Sequence, residues 1–170
     1  QKDYPCFQFG KESYPGVNKQ VYYKEGIFVG YRWFDTKNVK TRFPFGYGLS
    51  YTTFKYGKPS LSSAEISNDG KITLTTTVTN TGKRFGKEIV ELYIGQEKCS
   101  EERPLKELKG FKKISLNPGE TKTVTFDITP EDLQFFSSKN HSWTIEPGKF
   151  KAYVCASETD IRGISEFDFK

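Results

Sequence analysis

From Ile72 to Thr79 the sequence alternates without a break: Ile72, Leu74, Thr76 and Val78 share one side, Thr73, Thr75, Thr77 and Thr79 the other. Only an extended strand sends every second side chain the same way, so this run reads as a half-buried strand. The same period returns in Val90, Leu92 and Ile94, and in Val124, Phe126 and Ile128 between Thr123, Thr125 and Asp127. It returns once more in Phe150, Ala152, Val154 and Ala156. Four strands that each bury one face need a second layer to bury it against, which predicts a two-layer antiparallel sandwich. Its expected core contains Leu74, Val90, Leu92, Phe126, Ile128, Ala152 and Val154.

Further strands are expected at Ser60–Ser67, Leu105–Leu116 and Ile161–Phe169, the last with Phe167 and Phe169 alternating, which brings the total to seven. Asn68-Asp69-Gly70, Asn80-Thr81-Gly82, Asn117-Pro118-Gly119-Glu120 and Glu146-Pro147-Gly148 separate them with residues that tolerate or pre-set turn geometry. Thr129-Pro130-Glu131-Asp132 reads as an N-cap, a proline at the first helical position and acids suited to the positive end of the helix dipole, so one helical turn follows. Lys55–Ser63 is the best candidate linker. No internal repeat, heptad pattern or low-complexity tract is present.

Residues 1–57 have another texture, dense in Tyr, Phe, Pro and Gly with little alternation. Val21–Tyr23 and Ile27–Tyr31 read as short buried strands, and no helix is evident to cover them. The segment is therefore expected to pack against a partner surface: the remainder of a longer protein, or another copy of the chain. The division is placed at 1–57 and 58–170.

Several function classes drop away. Cys6, Cys99 and Cys155 are scattered and odd in number, so neither a disulfide framework nor a zinc site is expected, and one histidine, His141, assembles no triad or histidine-rich metal site. No metal and no cofactor are expected. The net charge of +5 comes from lysines interleaved with acids, and even Lys106, Lys109, Lys112 and Lys113 are broken by Glu107, Leu108 and Phe111, so nucleic acid is not expected as a partner. No run approaches the roughly 20 apolar residues of a membrane span. Methionine is absent, including at position 1, which reads as a processed chain or an excised piece.

The segment Phe43-Pro44-Phe45-Gly46-Tyr47-Gly48-Leu49-Ser50-Tyr51-Thr52-Thr53-Phe54 resembles the connector that leads into the last domain of bacterial family 3 β-glucosidases. Tyr23-Lys24-Glu25-Gly26-Ile27-Phe28-Val29-Gly30-Tyr31-Arg32 is similar to the motif that precedes it. Val78-Thr79-Asn80-Thr81-Gly82, Glu107-Leu108-Lys109-Gly110-Phe111 and Leu116-Asn117-Pro118-Gly119-Glu120-Thr121 are similar to the family's fibronectin type III-like sandwich. The resemblance covers nearly the whole chain, in order. It implies a fibronectin type III-like, immunoglobulin-like sandwich at 58–170. Residues 1–57 are then the tail of an α/β sandwich domain plus connector, and the parent a retaining glycosidase, periplasmic or secreted. It also implies that the nucleophilic aspartate lies in an upstream barrel domain and that the acid/base is upstream as well. No catalytic residue is carried over to this chain.

Among the carboxylates, only Glu25 and Asp35 stand within the aromatic segment, and neither is distinguished as catalytic from surface charge. Arg32 reads as one half of a structural pair, with a substrate contact as the alternative. Trp33, Tyr47 and Tyr51 read as interdomain packing, with sugar stacking as the alternative. Asn140-His141-Ser142 fits the glycosylation acceptor pattern at a turn, read as a chance match. The competing function is polysaccharide binding by the sandwich itself, which needs an exposed aromatic row; the outward positions offer only Tyr93 and Tyr153. A free-standing adhesion module leaves residues 1–57 unexplained.

Overall fold

The computed structural model describes residues 3–170. In chain order its elements are α1 (Pro5–Gln8), α2 (Tyr31–Thr36), β1 (Phe54–Tyr56), β2 (Ser60–Leu61), β3 (Glu65–Ile66), β4 (Ile72–Asn80), β5 (Gly86–Gln96), β6 (Glu107–Leu116), β7 (Thr121–Ile128), α3 (Pro130–Leu133), β8 (Phe135–Ser137), β9 (Ser142–Thr144), β10 (Gly148–Cys155) and β11 (Ile161–Phe169).

The alternating runs become the strands that carry the fold. β4 lies between β7 on one side and β1 and β2 on the other, all antiparallel, with Leu74 opposite Phe126 and Ile72 opposite Ile128. The second sheet runs β3-β11-β10-β5-β6, with Val154 opposite Leu92 and Ala152 opposite Ile94. The inward faces close one core, and all seven expected core residues lie in it, joined by Ile66, Val78, Leu116, Leu133, Phe150, Phe167 and Phe169. Burying such a side chain is worth roughly 1.5–3 kcal/mol, which is why the period-two pattern dictates the layer arrangement.

Differences from the sequence reading have local causes. The opening strand divides: Ser60–Leu61 joins β4, then Ser63 Oγ accepts the Glu65 amide hydrogen at 3.1 Å in a tight bend, and Glu65–Ile66 runs parallel to β11. Lys55–Ser63 is no free linker, since β1 overlaps it, β2 lies within it and Pro59 is buried where a Cβ on Gly163 of β11 would meet its ring at 2.4 Å. β10 ends at Cys155, one residue before Ala156, because a bulge after Val154 breaks the register. The β8–β9 hairpin carried no alternation to betray it. As expected, α3 starts at Pro130, and the Thr129 amide donates to the Asp132 carboxylate at 2.9 Å.

Val21–Tyr23 and Ile27–Tyr31 form no strands. Gly26 and Gly30 take left-handed φ values of 56° and 57°, which chop the apolar run into turns and leave Val21, Tyr23, Ile27 and Val29 exposed. Tyr31 instead opens α2, so the leading segment does possess a helix, with Trp33 buried beneath Phe9 and its Nε1 donating to the Asp3 carbonyl at 3.2 Å.

Candidate functional site

The side chains of β5 should alternate between core and solvent, yet every residue from Val90 to Gly95 is buried. Val90, Leu92 and Ile94 face the core. Glu91 and Tyr93 face outward and are covered by the leading segment. Tyr31 of α2 meets Tyr93 edge-on at 5.7 Å and lies against Phe45 at 5.2 Å. Gly46, at φ 80°, passes directly over the Glu91 carboxylate. Tyr93, expected to be outward and available to a sugar, is thus outward and fully buried, and Tyr153 is half-buried.

Polar contacts fasten this junction. The Leu108 amide donates to the Tyr31 hydroxyl at 2.8 Å, the Leu105 amide to Thr36 Oγ1 at 3.0 Å, and the Glu158 amide to the Phe45 carbonyl at 2.8 Å. At its centre Lys106 Nζ donates to Asp35 Oδ2 at 2.6 Å and to Glu158 Oε1 at 3.3 Å. The Lys106 and Glu158 side chains are 3% and 4% exposed. Burial works against the lysine charge, but the Asp35 and Glu158 carboxylates outweigh it and hold Lys106 above the usual lysine range. Burial also pushes the Glu158 carboxyl up, with the nearby Asp35 charge adding to it and Lys106 opposing. Beneath, the Tyr93 hydroxyl donates to Glu91 Oε2 at 2.8 Å; burial raises both groups, and it pushes the Cys155 thiol up to about 12.

A cleft of about 630 Å³ opens beside the cluster, with Asp35, Arg42, Tyr47, Glu158 and Asp160 among its lining. Arg32 pairs with Glu107 at 3.4 Å, the structural reading of that residue. Asp35 is committed to Lys106. Glu25 lies half-buried in a turn, its Oε2 without a hydrogen-bond partner among the described residues. His141 and exposed Asn140 occupy the β8–β9 turn, far in sequence from the junction.

Trp33 packs within the leading segment, whereas Tyr47 stays half exposed and Leu49 and Tyr51 are 89% and 91% exposed. The segment has two sides: one docks on its own sandwich through Tyr31, Asp35 and Phe45, and the other presents apolar side chains outward. Sequence reasoning missed Lys106, Glu158, Tyr31 and Glu91. The one available signal was the placement of a glutamate and a tyrosine on the outward face of a strand otherwise rich in apolar residues.

The two-sheet architecture with its carboxy-terminal β10–β11 pair is that of a fibronectin type III-like domain, and the family model of that description matches residues 88–158. The chain is similar to a β-glucosidase of Bacteroides ovatus, 55% identical over 168 residues, which is 99% of this chain and 22% of the relative. It is 47% identical over 131 residues to a periplasmic β-glucosidase of Salmonella typhimurium, covering 77% of this chain and 17% of that one. The crystal structure of a Bifidobacterium adolescentis family 3 β-glucosidase superimposes with a TM-score of 0.90 at 34% identity, over 99% of this chain and 24% of that one. The matches cover nearly the whole of this chain, which corresponds to a carboxy-terminal portion of such enzymes and spans about a fifth of the length of the curated relatives it matches. No helix among the described residues is long and apolar enough to cross a membrane.

Proposed function

We propose that the protein containing this chain hydrolyses β-glucosides, or near relatives such as β-xylosides, by the retaining route, and that this chain braces its catalytic domains. The observation that carries the reading is the two-sided connector. One side is pinned by polar contacts to the sandwich, while the other holds Leu49 and Tyr51 almost wholly in water, an exposed apolar surface of the kind that marks an interaction site. A barrel and an α/β sandwich domain of the same protein are the proposed cover, and 1–57 and 58–170 the proposed division. The location is proposed to be periplasmic or secreted, as the Salmonella relative's name has it for that protein.

Retaining hydrolysis needs two carboxyl groups roughly 5 Å apart, one nucleophile and one acid/base. We assign neither to this chain, because Asp35 is bound to a lysine and Glu25 sits in a loop turn, its Oε2 without a hydrogen-bond partner among the described residues. The test compares the full-length protein with the 170-residue chain on aryl β-glucoside and aryl β-xyloside. Turnover by the full-length protein alone is expected, reduced together with Tm when Leu49→Asp and Tyr51→Asp are combined. Turnover by the purified chain that disappears in Glu25→Ala or Asp35→Ala overturns the assignment.

One observation favours the second reading, polysaccharide binding: Phe136 and Trp143 stand exposed on the β8–β9 hairpin, edge to face at 5.9 Å. Affinity electrophoresis of the chain on xylan and β-glucan, with Trp143→Ala as the comparison, decides it; retardation lost in the variant supports binding.

A further inference from the structure

Asp35 and Glu158 are brought together by Lys106 from positions 71 residues before and 52 residues after it. Two carboxylates on one ammonium leave a net negative charge where the Lys106 and Glu158 side chains are almost wholly shielded from water, a costly arrangement unless a proton joins it. The charged groups around the cluster do not supply the missing positive charge. Lys40 and Arg42, from the loop after α2, line the adjoining cleft, but no nitrogen of either comes within 4 Å of the Asp35 or Glu158 carboxylate. From β5 come Glu91 and Tyr93, from β10 Tyr153 and Cys155, and from the following turn Asp160; α2 adds the Tyr31 hydroxyl. Each of these is neutral or acidic.

The three elements meeting at Lys106 are those that dock the connector: α2 through Asp35, the β5–β6 loop through Lys106 itself, and the β10–β11 turn through Glu158, whose amide also holds the Phe45 carbonyl. We propose that Asp35, Lys106 and Glu158 form a proton-operated clasp, gripping the connector while the Glu158 carboxyl holds a proton and loosening when it leaves. The direction follows from linkage. The Glu158 carboxyl is a weaker acid in the docked state than in water, so docking binds a proton; the grip is complete below the ordinary glutamate value of 4.5 and declines as pH rises through the docked value. The clasp would make the brace under the catalytic domains firmer in mildly acidic surroundings, and in that sense it rests on the function proposed above.

The test is residue-resolved hydrogen exchange on the 170-residue chain, which needs no catalytic domain and stands whatever the parent hydrolyses. The amides of Leu105, Leu108 and Glu158 donate to the connector side, so their protection reports docking, while Leu92 and Val154 report the sandwich. We expect the three reporters to lose protection as pH rises from about 5 to about 8, with Leu92 and Val154 unchanged. Glu158→Gln should hold its protection at the higher pH. Asp35→Asn, which leaves Lys106 to neutralise Glu158 alone, should flatten the profile too, and serves if the first variant folds poorly. A loss that persists in both variants, one that vanishes only in Glu91→Gln, or one shared by Leu92 and Val154 overturns the clasp.

Discussion

A Cβ at Gly46 would stand 2.3 Å from Oε1 of the buried Glu91, so the connector can cross the outer face of β5 only where it has no side chain. The φ of 80° at Gly46 makes the same demand on the backbone. Gly46→Ala should therefore weaken docking twice over, by about 1–2 kcal/mol for the left-handed backbone and more for displacing a carboxylate held by Tyr93. Urea unfolding followed by tyrosine fluorescence is expected to show a lowered midpoint. A midpoint equal to that of the unaltered chain would mean the connector does not cross here.

Asn80, fully buried at the end of β4, uses its whole side-chain amide: Nδ2 donates to the Arg84 and Leu116 carbonyls at 2.8 and 3.0 Å, and Oδ1 accepts from Thr52 Oγ1 at 2.6 Å and the Gly82 amide at 3.1 Å. Asn80→Ala strands these partners, each at about 1–3 kcal/mol if left unsatisfied. Asn80→Asp is expected to be worse at neutral pH, because a carboxylate then faces two carbonyl oxygens. Its acid should be weakened in the fold, so thermal stability should recover as pH falls. An Asp variant that melts above the Ala variant at pH 7 and loses stability on acidification contradicts this account.

Val90 has no exposed surface and sits on β5 between both sheets. Val90→Asp buries a charge with no partner, a change of about 3–5 kcal/mol or more, comparable to the whole stability of a small domain. Circular dichroism should report an unfolded chain at 25 °C. Melting within a degree or two of the unaltered chain would place Val90 on the wrong face.

Glu101 fastens the β8–β9 hairpin: its carboxylate accepts from Ser137 Oγ at 2.6 Å and from the Ser138 amide and hydroxyl at 3.2 and 2.7 Å, and these bonds hold its pKa down at about 2. A depressed carboxyl stabilises the fold above its ordinary value of 4.5 and ceases to as pH falls through the folded value. The hairpin alone should therefore loosen between those limits. Ser138 amide exchange should rise on acidification relative to Val154 in the unaltered chain, and be already raised in Glu101→Gln at neutral pH.

The unbroken alternations were legible in the sequence because a strand's side-chain period is local: Leu74 and Val78 face the core whatever lies elsewhere in the chain. Turn residues such as Asn117-Pro118-Gly119 and the cap at Thr129-Pro130 were legible for the same reason, each being decided within four residues. Where glycine conformation intervened, as at Gly26 and Gly30, an apolar run read as strand became turns, since hydrophobicity does not reveal φ.

The sequence by itself determined which side chains lie between the two sheets, because burial of one strand face follows from a two-residue period that no distant contact can alter. The tertiary structure alone decided what covers the opposite face of β5. Tyr93 and Glu91 sit at outward positions, and nothing near them shows that Tyr31 and Gly46 will close over them. Asp35, Lys106 and Glu158 likewise acquire a shared charge only when α2, the β5–β6 loop and the β10–β11 turn converge. Coulomb energy depends on separation in space and on exclusion of water, and both are set by the packing of segments more than 50 residues apart.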